Sequence, residues 1–156
     1  MRNLLDIYQF TFMINIILDL HTDPYFWFIK TINMQYDAKL LKESLLNIWN
    51  DRDAVARRKV MQEIYAADIT FYENNQAAAI TGHEAINELI EQLQKDWPVE
   101  FSFQLTGPAQ INHEVQHIAW TLGTPGAPPA ASGMDIAMIK NDKIQSLYLF
   151  LNSPAQ

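Results

Sequence analysis

Two carboxylates in this sequence occupy positions that suit proton transfer. Asp135 interrupts the apolar run Met134–Ile139, and an ionised carboxylate on an apolar strand is costly unless it is paired. Glu73 ends the alternating stretch Asp68–Glu73, within reach of the same face. Each has a plainer interpretation: Asp135 could accept backbone hydrogen bonds at a bend near Gly133, and Glu73 could be a solvated strand end. Both alternatives stay open.

Two histidines are further candidates for acid/base chemistry near neutral pH. His113 and His117 lie on one predicted strand and face the same side of it, but four residues of strand separate them by roughly 13 Å. That distance is too long for both to bind one metal. We keep His113 as a third candidate catalytic residue, although a histidine on the outer sheet face is the simpler interpretation. His83, near a helix start, is expected to be exposed. With no cysteine and no tight His/Asp cluster, we expect no metal site and no cofactor.

The hairpin that closes the chain decides where Asp135 points. Two apolar runs flank the turn Lys140-Asn141-Asp142. A two-residue loop would set Asp135 opposite Tyr148, whereas a three-residue loop would set it opposite Leu147. We favour the three-residue loop. It gives one face with Asp135, Ala137, Ile139, Leu147, Leu149 and Leu151, and another with Ile136, Met138, Ser146, Tyr148 and Phe150.

The register with the three-residue loop predicts that the carboxyl group of Asp135 has a raised pKa. Apolar atoms would surround Asp135, and burial away from cations raises a carboxylic pKa, as would a neighbouring Glu73. Asp135 would then carry the proton at neutral pH, and Glu73, nearer the rim, would be the base.

Periodicity and turn signals predict the order α-α-β-β-α-β-β-β-β, an α+β fold with a largely antiparallel sheet. Arg57-Arg58-Lys59 is interpreted as a solvated helix face. The predicted helices run from Asp37 to about Trp49, from the Asp53 cap through Tyr65, and from the capping box Thr81–Glu84 to Trp97. The predicted strands are Asp68–Glu73, Ala77–Ile80, Val99–Thr106, Ala109–Gly123 and the two strands of the closing hairpin.

Composition indicates one domain. Of 156 residues, 49% are hydrophobic and 19% are charged, which suits a packed core. The net charge of −7 argues against nucleic-acid and anionic-membrane partners. Residues 1–33 differ in composition and precede Met34, so we expect an extension outside the fold, a domain over 34–152 and a tail over 153–156. An amphipathic arm or a cleaved signal is the alternative for residues 1–33. We expect a cytoplasmic protein.

Two stretches carry a resemblance to a known family: FQLTGPAQINHEVQHIAW, and SGMDIAMIKNDKIQSLYLFLN after a Pro/Gly-rich loop. They resemble SnoaL-like proteins, the branch of the nuclear transport factor 2-like superfamily that is named after polyketide cyclases. The resemblance spans about residues 36–152. It implies a cone-shaped, curved sheet wrapped by three helices around a hydrophobic pocket. We expect lining side chains from Trp49, Tyr65, Phe71, Trp97, Phe103, Trp120, Leu147 and Leu149.

Ketosteroid isomerases share that superfamily, and their pattern implies roles for this chain. Their general base corresponds to Glu73, and their carboxylic hydrogen-bond donor corresponds to Asp135. Their tyrosine corresponds to a position near Leu45, which argues against steroid isomerisation here. Two functions remain: a cofactor-independent cyclase, isomerase or dehydratase, or a non-catalytic module that binds a small apolar or aromatic molecule or serves dimerisation. We expect a homodimer through the outer face of the sheet, because that face is apolar and uncovered.

Overall fold

The computed structural model describes residues 38–73 and 78–152. The expectations for residues 1–33 and 153–156 lie outside these residues. The described helical segments are α1 (Lys39–Glu43), which continues as a π-helical segment (Ser44–Trp49), α2 (Ala54–Ile64) and α3 (His83–Asp96). The described strands are β1 (Tyr65–Tyr72), β2 (Ile80–Thr81), β3 (Ser102–Leu105), β4 (Gln110–Asn112), β5 (Val115–Gly123), β6 (Ala131–Lys140) and β7 (Lys143–Leu151).

The strands form one mixed, mostly antiparallel sheet in the order β2-β1-β7-β6-β5-β3, with β4 also paired to β5. The β1–β7 pairing is parallel and the other pairings are antiparallel. The helices cover the face that carries Asp135, and the core lies between them. The predicted α+β class is therefore confirmed. Among the described residues, no helix has the length and apolar character needed to cross a membrane.

Of the caps predicted for α2 and α3, the first is present and the second is not. Asp53 caps α2 as predicted, because its carboxylate accepts from the backbone N–H groups of Val55 and Ala56. Before α3 the cap residue is Gly82, at φ 86° and with no side-chain cap hydrogen bond, so the predicted capping box is wrong. His83 is partly buried and its Nε2 lies 2.9 Å from the Ala66 carbonyl oxygen, which corrects the expectation that it is exposed.

The continuous helical stretch of α1 and the π-helical segment is hydrogen-bonded to the sheet near both ends. The buried Gln116 side chain on β5 accepts from the Leu41 N–H at 2.9 Å. At the other end, the Asn50 side chain donates to the Phe103 carbonyl at 3.1 Å and accepts from the Phe103 N–H at 2.6 Å. These bonds fix the positions of the side chains that this segment presents to the sheet.

Arg57 does not belong to a solvated face. Its side chain is 0% exposed and hydrogen-bonded to Asn87, Gln94 and the Asp51 carbonyl. The expectation failed because three consecutive helical residues point about 100° apart, so a charge run cannot lie on one face.

The closing hairpin differs from the predicted loop but keeps the predicted faces. Asn141 and Asp142 have φ 51° and 58°, and Lys140 pairs with Lys143, so the loop has two residues and the three-residue prediction is wrong. The register then shifts, with Ile139 opposite Ile144 and Met138 opposite Ser146. Gln145 is thus an extra residue in β7, a β-bulge that moves Asp135 opposite Leu149 rather than Tyr148.

The predicted long strand Ala109–Gly123 is two strands joined by a tight turn at His113 and Glu114. His113 has φ 53° and is exposed, so it does not share a strand face with His117. His117 pairs with Ile136 on the outer face of the sheet, whereas Ile118 and Trp120 face the helices.

Candidate functional site

The helices and the inner sheet face enclose a cavity of about 220 Å³ that contains both candidate carboxylates. Leu151, which is 44% exposed, lies at its mouth, and the largely buried Trp49, Phe103 and Trp120 form deeper walls. The described residues that line it are Leu45, Trp49, Phe71, Glu73, Leu93, Trp97, Phe103, Trp120, Leu122, Ala131, Asp135, Leu149 and Leu151.

Asp135 is the buried acid of this cavity. It is 7% exposed, and its Oδ1 accepts a hydrogen bond from Trp120 Nε1 at 3.0 Å. Burial raises the pKa of Asp135 to about 7, while the Trp120 N–H partly opposes that rise. The predicted direction is confirmed, but Glu73 is not among its causes. Around neutral pH this carboxyl is therefore both a hydrogen-bond donor and a carboxylate in comparable amounts.

Glu73 is the second carboxyl group that lines the cavity, and it directly follows the end of β1. Its side chain is partly buried. Because Phe71 pairs with Leu147 and Asp135 pairs with Leu149, β1 and β6 reach the cavity from either side of β7. Two carboxyl groups with different burial are the arrangement expected of an acid and base pair.

The aromatic side chains are arranged around Phe103. Its ring centroid lies 5.0 Å from that of Trp120, 5.8 Å from Trp97 and 6.2 Å from Trp49, each in an edge-to-face arrangement. Phe71 completes the wall, with its centroid 5.4 Å from that of Trp49. These rings give the cavity apolar walls with several π-faces.

Two of the predicted lining residues are core residues instead. Tyr65 is 1% exposed, its hydroxyl is hydrogen-bonded to Ser44, and burial raises its pKa to about 12. Leu147 is 1% exposed and packs in the core. The residues that sequence reasoning missed are Leu45, Leu93, Leu122, Ala131 and Leu151. Leu151 was recoverable from the predicted inner face, whereas Ala131 was assigned to the Pro/Gly-rich loop and is instead the first residue of β6, on the same face as Asp135.

The histidines do not join the carboxyl groups. His113 lies in the β4–β5 turn and His117 on the outer sheet face, and neither lines the cavity. The candidate role of His113 therefore lacks structural support. Within residues 38–73 and 78–152, no three His, Asp or Glu side chains are placed to hold a metal ion.

Several solved structures have a fold similar to that of this chain. A SnoaL-like family protein from Agrobacterium tumefaciens, described as a candidate isomerase, is 21% identical, covers 74% of this chain and 96% of its own, and superposes with a TM-score of 0.65. The chain has the nuclear transport factor 2-like fold. The expected resemblance is confirmed at this level. No protein-family model and no curated protein sequence matches the chain.

Two other solved structures are similar to this chain. A candidate SnoaL-like polyketide cyclase from Jannaschia is 12% identical, with coverages of 73% and 83% and a TM-score of 0.60. A protein with a ketosteroid isomerase-like fold from Catenulispora acidiphila, solved in complex with trimethylamine, is 18% identical, with coverages of 73% and 85% and a TM-score of 0.58.

Proposed function

We propose that this protein binds a small, largely apolar molecule in the cavity and transfers a proton on it without a cofactor. The observation that carries the proposal is the buried Asp135 carboxyl, which is held by Trp120 in a cavity that also contains Glu73. The isomerase and cyclase names of structural neighbours agree with this reaction class.

In the proposed reaction Glu73 removes a proton from a carbon next to a carbonyl group. The electron pair of the broken C–H bond forms a carbon–carbon double bond, the π pair of the carbonyl group moves onto its oxygen, and protonated Asp135 donates a hydrogen bond to that oxygen. Glu73 then returns the proton to another carbon, or the enolate carbon attacks a second carbonyl within the molecule and Glu73 gives its proton to the alkoxide oxygen that this attack forms. The first outcome is isomerisation and the second is cyclisation.

Cavity size favours small substrates. Its volume of about 220 Å³ lies below the range of about 300–1,000 Å³ that is typical for drug-sized ligands. Leu45 also lines the cavity where steroid isomerases have a tyrosine, so that wall offers no hydroxyl donor. Both observations argue against a steroid substrate.

Deuterium exchange into a small cyclic ketone, followed by NMR in heavy water, tests the proposal. The wild-type protein should accelerate exchange, and Glu73→Gln should abolish the acceleration while leaving ketone binding intact. Asp135→Asn keeps a donor and the shape, so it should lose less activity than Asp135→Ala.

A non-catalytic binding module is the second candidate, favoured by the missing hydroxyl at Leu45. It predicts that the ketone binds without accelerated exchange, and that Glu73→Gln changes nothing. That result would exclude the proposed proton transfer while retaining the pocket.

A further inference from the structure

We propose that the ligand class of this cavity is a small organic cation, a methylated alkylammonium compound. The inference rests on the proposed binding function of the same cavity but not on proton transfer. Its observation is the combination of three tryptophan and two phenylalanine rings with two carboxyl groups, and no Lys, Arg or His is among the described residues that line the cavity.

The rings are close enough together to act on one cation. A cation is attracted to an aromatic face within about 6 Å of the ring centroid. Phe103 lies 5.0 Å from Trp120 and 5.8 Å from Trp97 in edge-to-face contacts, and all three rings line the cavity, so a bound group has several rings in its walls. Methylated ammonium groups suit such walls because they carry charge and need few hydrogen-bond acceptors.

The carboxyl groups lack a cation of their own. Within the described part of the chain, neither Asp135 nor Glu73 forms an ion pair. A buried carboxylate without a partner is costly, and an alkylammonium ion would supply the missing charge. An anionic ligand would meet two carboxyl groups and no countercharge from the described lining residues, which disfavours carboxylates and phosphates.

The size of the cavity fits this class. A volume of about 220 Å³ lies below the range of about 300–1,000 Å³ that is typical for drug-sized ligands, so the cavity suits a small ion such as choline. Longer substituents can leave through the mouth at Leu151.

Cation binding should be coupled to a proton on Asp135. The groups that face this carboxyl are Trp120 from β5, Leu149 from β7 and the buried Tyr65 hydroxyl from β1, with Glu73 in the same cavity. None of them is a cation. A bound ammonium ion therefore favours the ionised form of Asp135, so binding releases a proton below pH about 7 and strengthens as pH rises to that value.

Calorimetric titration of the full chain tests the inference with three probes of the same skeleton. The probes are choline, its carbon isostere in which a quaternary carbon replaces the nitrogen, and the corresponding carboxylate. Choline should bind at least about tenfold more tightly than the isostere, and the carboxylate should not bind. Titration in two buffers of different ionisation enthalpy should reveal proton release with the wild-type protein and none with Asp135→Asn.

Matched variants distinguish a specific effect of the aromatic rings on cation binding from a general effect on packing. Trp97→Leu should weaken choline binding about tenfold more than Trp97→Phe, whereas Phe150→Leu, which removes a ring from the opposite sheet face, should not change it. Equal binding of choline and the isostere would overturn the cation inference and leave the proposed apolar ligand standing. If none of the probes binds, the inference is also wrong, and ketone exchange then decides the proposed function separately.

Discussion

Trp120 lies directly opposite Gly133 in the β5–β6 pairing, and its ring occupies the space that a side chain at Gly133 would need. A Cβ atom there would lie 2.7 Å from Trp120 Cζ2 and 2.6 Å from the Phe150 carbonyl oxygen. Because glycine leaves this space open, the indole reaches diagonally across β6 and donates to Asp135. This contact gives a physical reason for the Gly-x-Asp sequence beside a tryptophan-containing strand.

Gly133→Ala should therefore disturb the site and the fold together. The added methyl group must displace the Trp120 ring or β7, an overpacking cost of about 1–3 kcal/mol. Urea denaturation measures this loss, and NMR titration should show a further rise in the pKa of Asp135, because the Trp120 N–H that lowers it moves away. Gly107→Ala is the matched control, since a Cβ there meets nothing within 4 Å. Equal effects of the two substitutions would contradict the assigned contact.

Asp135 should make the protein less stable as pH rises. Its folded-state pKa of about 7 exceeds the ordinary value of 3.8, so the folded state binds the proton more tightly, and stability falls between pH about 4 and about 7. The shift corresponds to on the order of 4 kcal/mol. Asp135→Asn should remove most of this pH dependence and raise the melting temperature above pH about 7. Thermal denaturation across pH checks this, and a wild-type stability that rises over the same interval would refute it.

The sequence predicted the fold better than the site because the two depend on different features. Apolar periodicity and turn residues determine the elements, and these are local signals. The position of Asp135 depends on a bulge at Gln145 that no turn residue marks. The expected face was correct only because a two-residue loop plus one extra residue gives the same parity as a three-residue loop.

The other differences have causes that the residue types along the chain do not reveal. Asn112-His113-Glu114 contains no glycine or proline, yet His113 adopts a positive φ and ends the strand, which removes it from the site. The burial of Arg57 depends on acceptors that lie 30 and 37 positions away, at Asn87 and Gln94. Such long-range partners leave no mark in the spacing of neighbouring residues.

The Asn141-Asp142 turn should favour glycine at its second position. Both residues have a positive φ, which glycine adopts without strain, and Asn-Gly is the preferred pair for this turn. Asp142→Gly should raise the free energy of unfolding by up to about 1 kcal/mol, whereas Asp142→Val should lower it. Urea denaturation of both variants provides the comparison. A loss of stability in the glycine variant would mean that the turn does not adopt this geometry.

We propose that two copies of the chain associate through the outer sheet face. Phe150 is 46% and Met138 40% exposed there, and the Tyr148 ring stacks on Tyr72 at 4.7 Å. A charged side chain on this face would be costly to bury in a dimer interface. Tyr148→Glu combined with Phe150→Glu should therefore give monomers or aggregates in sedimentation velocity. Glu84→Gln on the helical side is the control. An unchanged dimer would place the interface elsewhere, and a monomeric wild-type protein would exclude the association.

Arg57 should contribute to stability and to the site through Gln94. The Arg57 guanidinium donates to Gln94 Oε1 at 3.1 Å, and Gln94 Nε2 donates to the carbonyl of Trp49 at 3.1 Å. Desolvation lowers the pKa of Arg57, and its direct acceptors are neutral amide and carbonyl oxygens.

Arg57→Met keeps the apolar stem but leaves those buried acceptors without a donor, which should cost about 1–3 kcal/mol for each acceptor that stays unpaired. Arg57→Lys should also be destabilising, because a single ammonium group cannot reach all the acceptors that the planar guanidinium group of Arg57 reaches. Arg58→Met is the matched control: Arg58 is exposed and its ion pair with Glu84 is worth at most about 1 kcal/mol. Chemical denaturation gives the stabilities, and calorimetry at a temperature where the variants stay folded gives ligand affinity. If Arg57→Lys weakens ligand binding while Arg58→Met does not, the link through Gln94 to Trp49 is supported; equal affinities would limit Arg57 to stability.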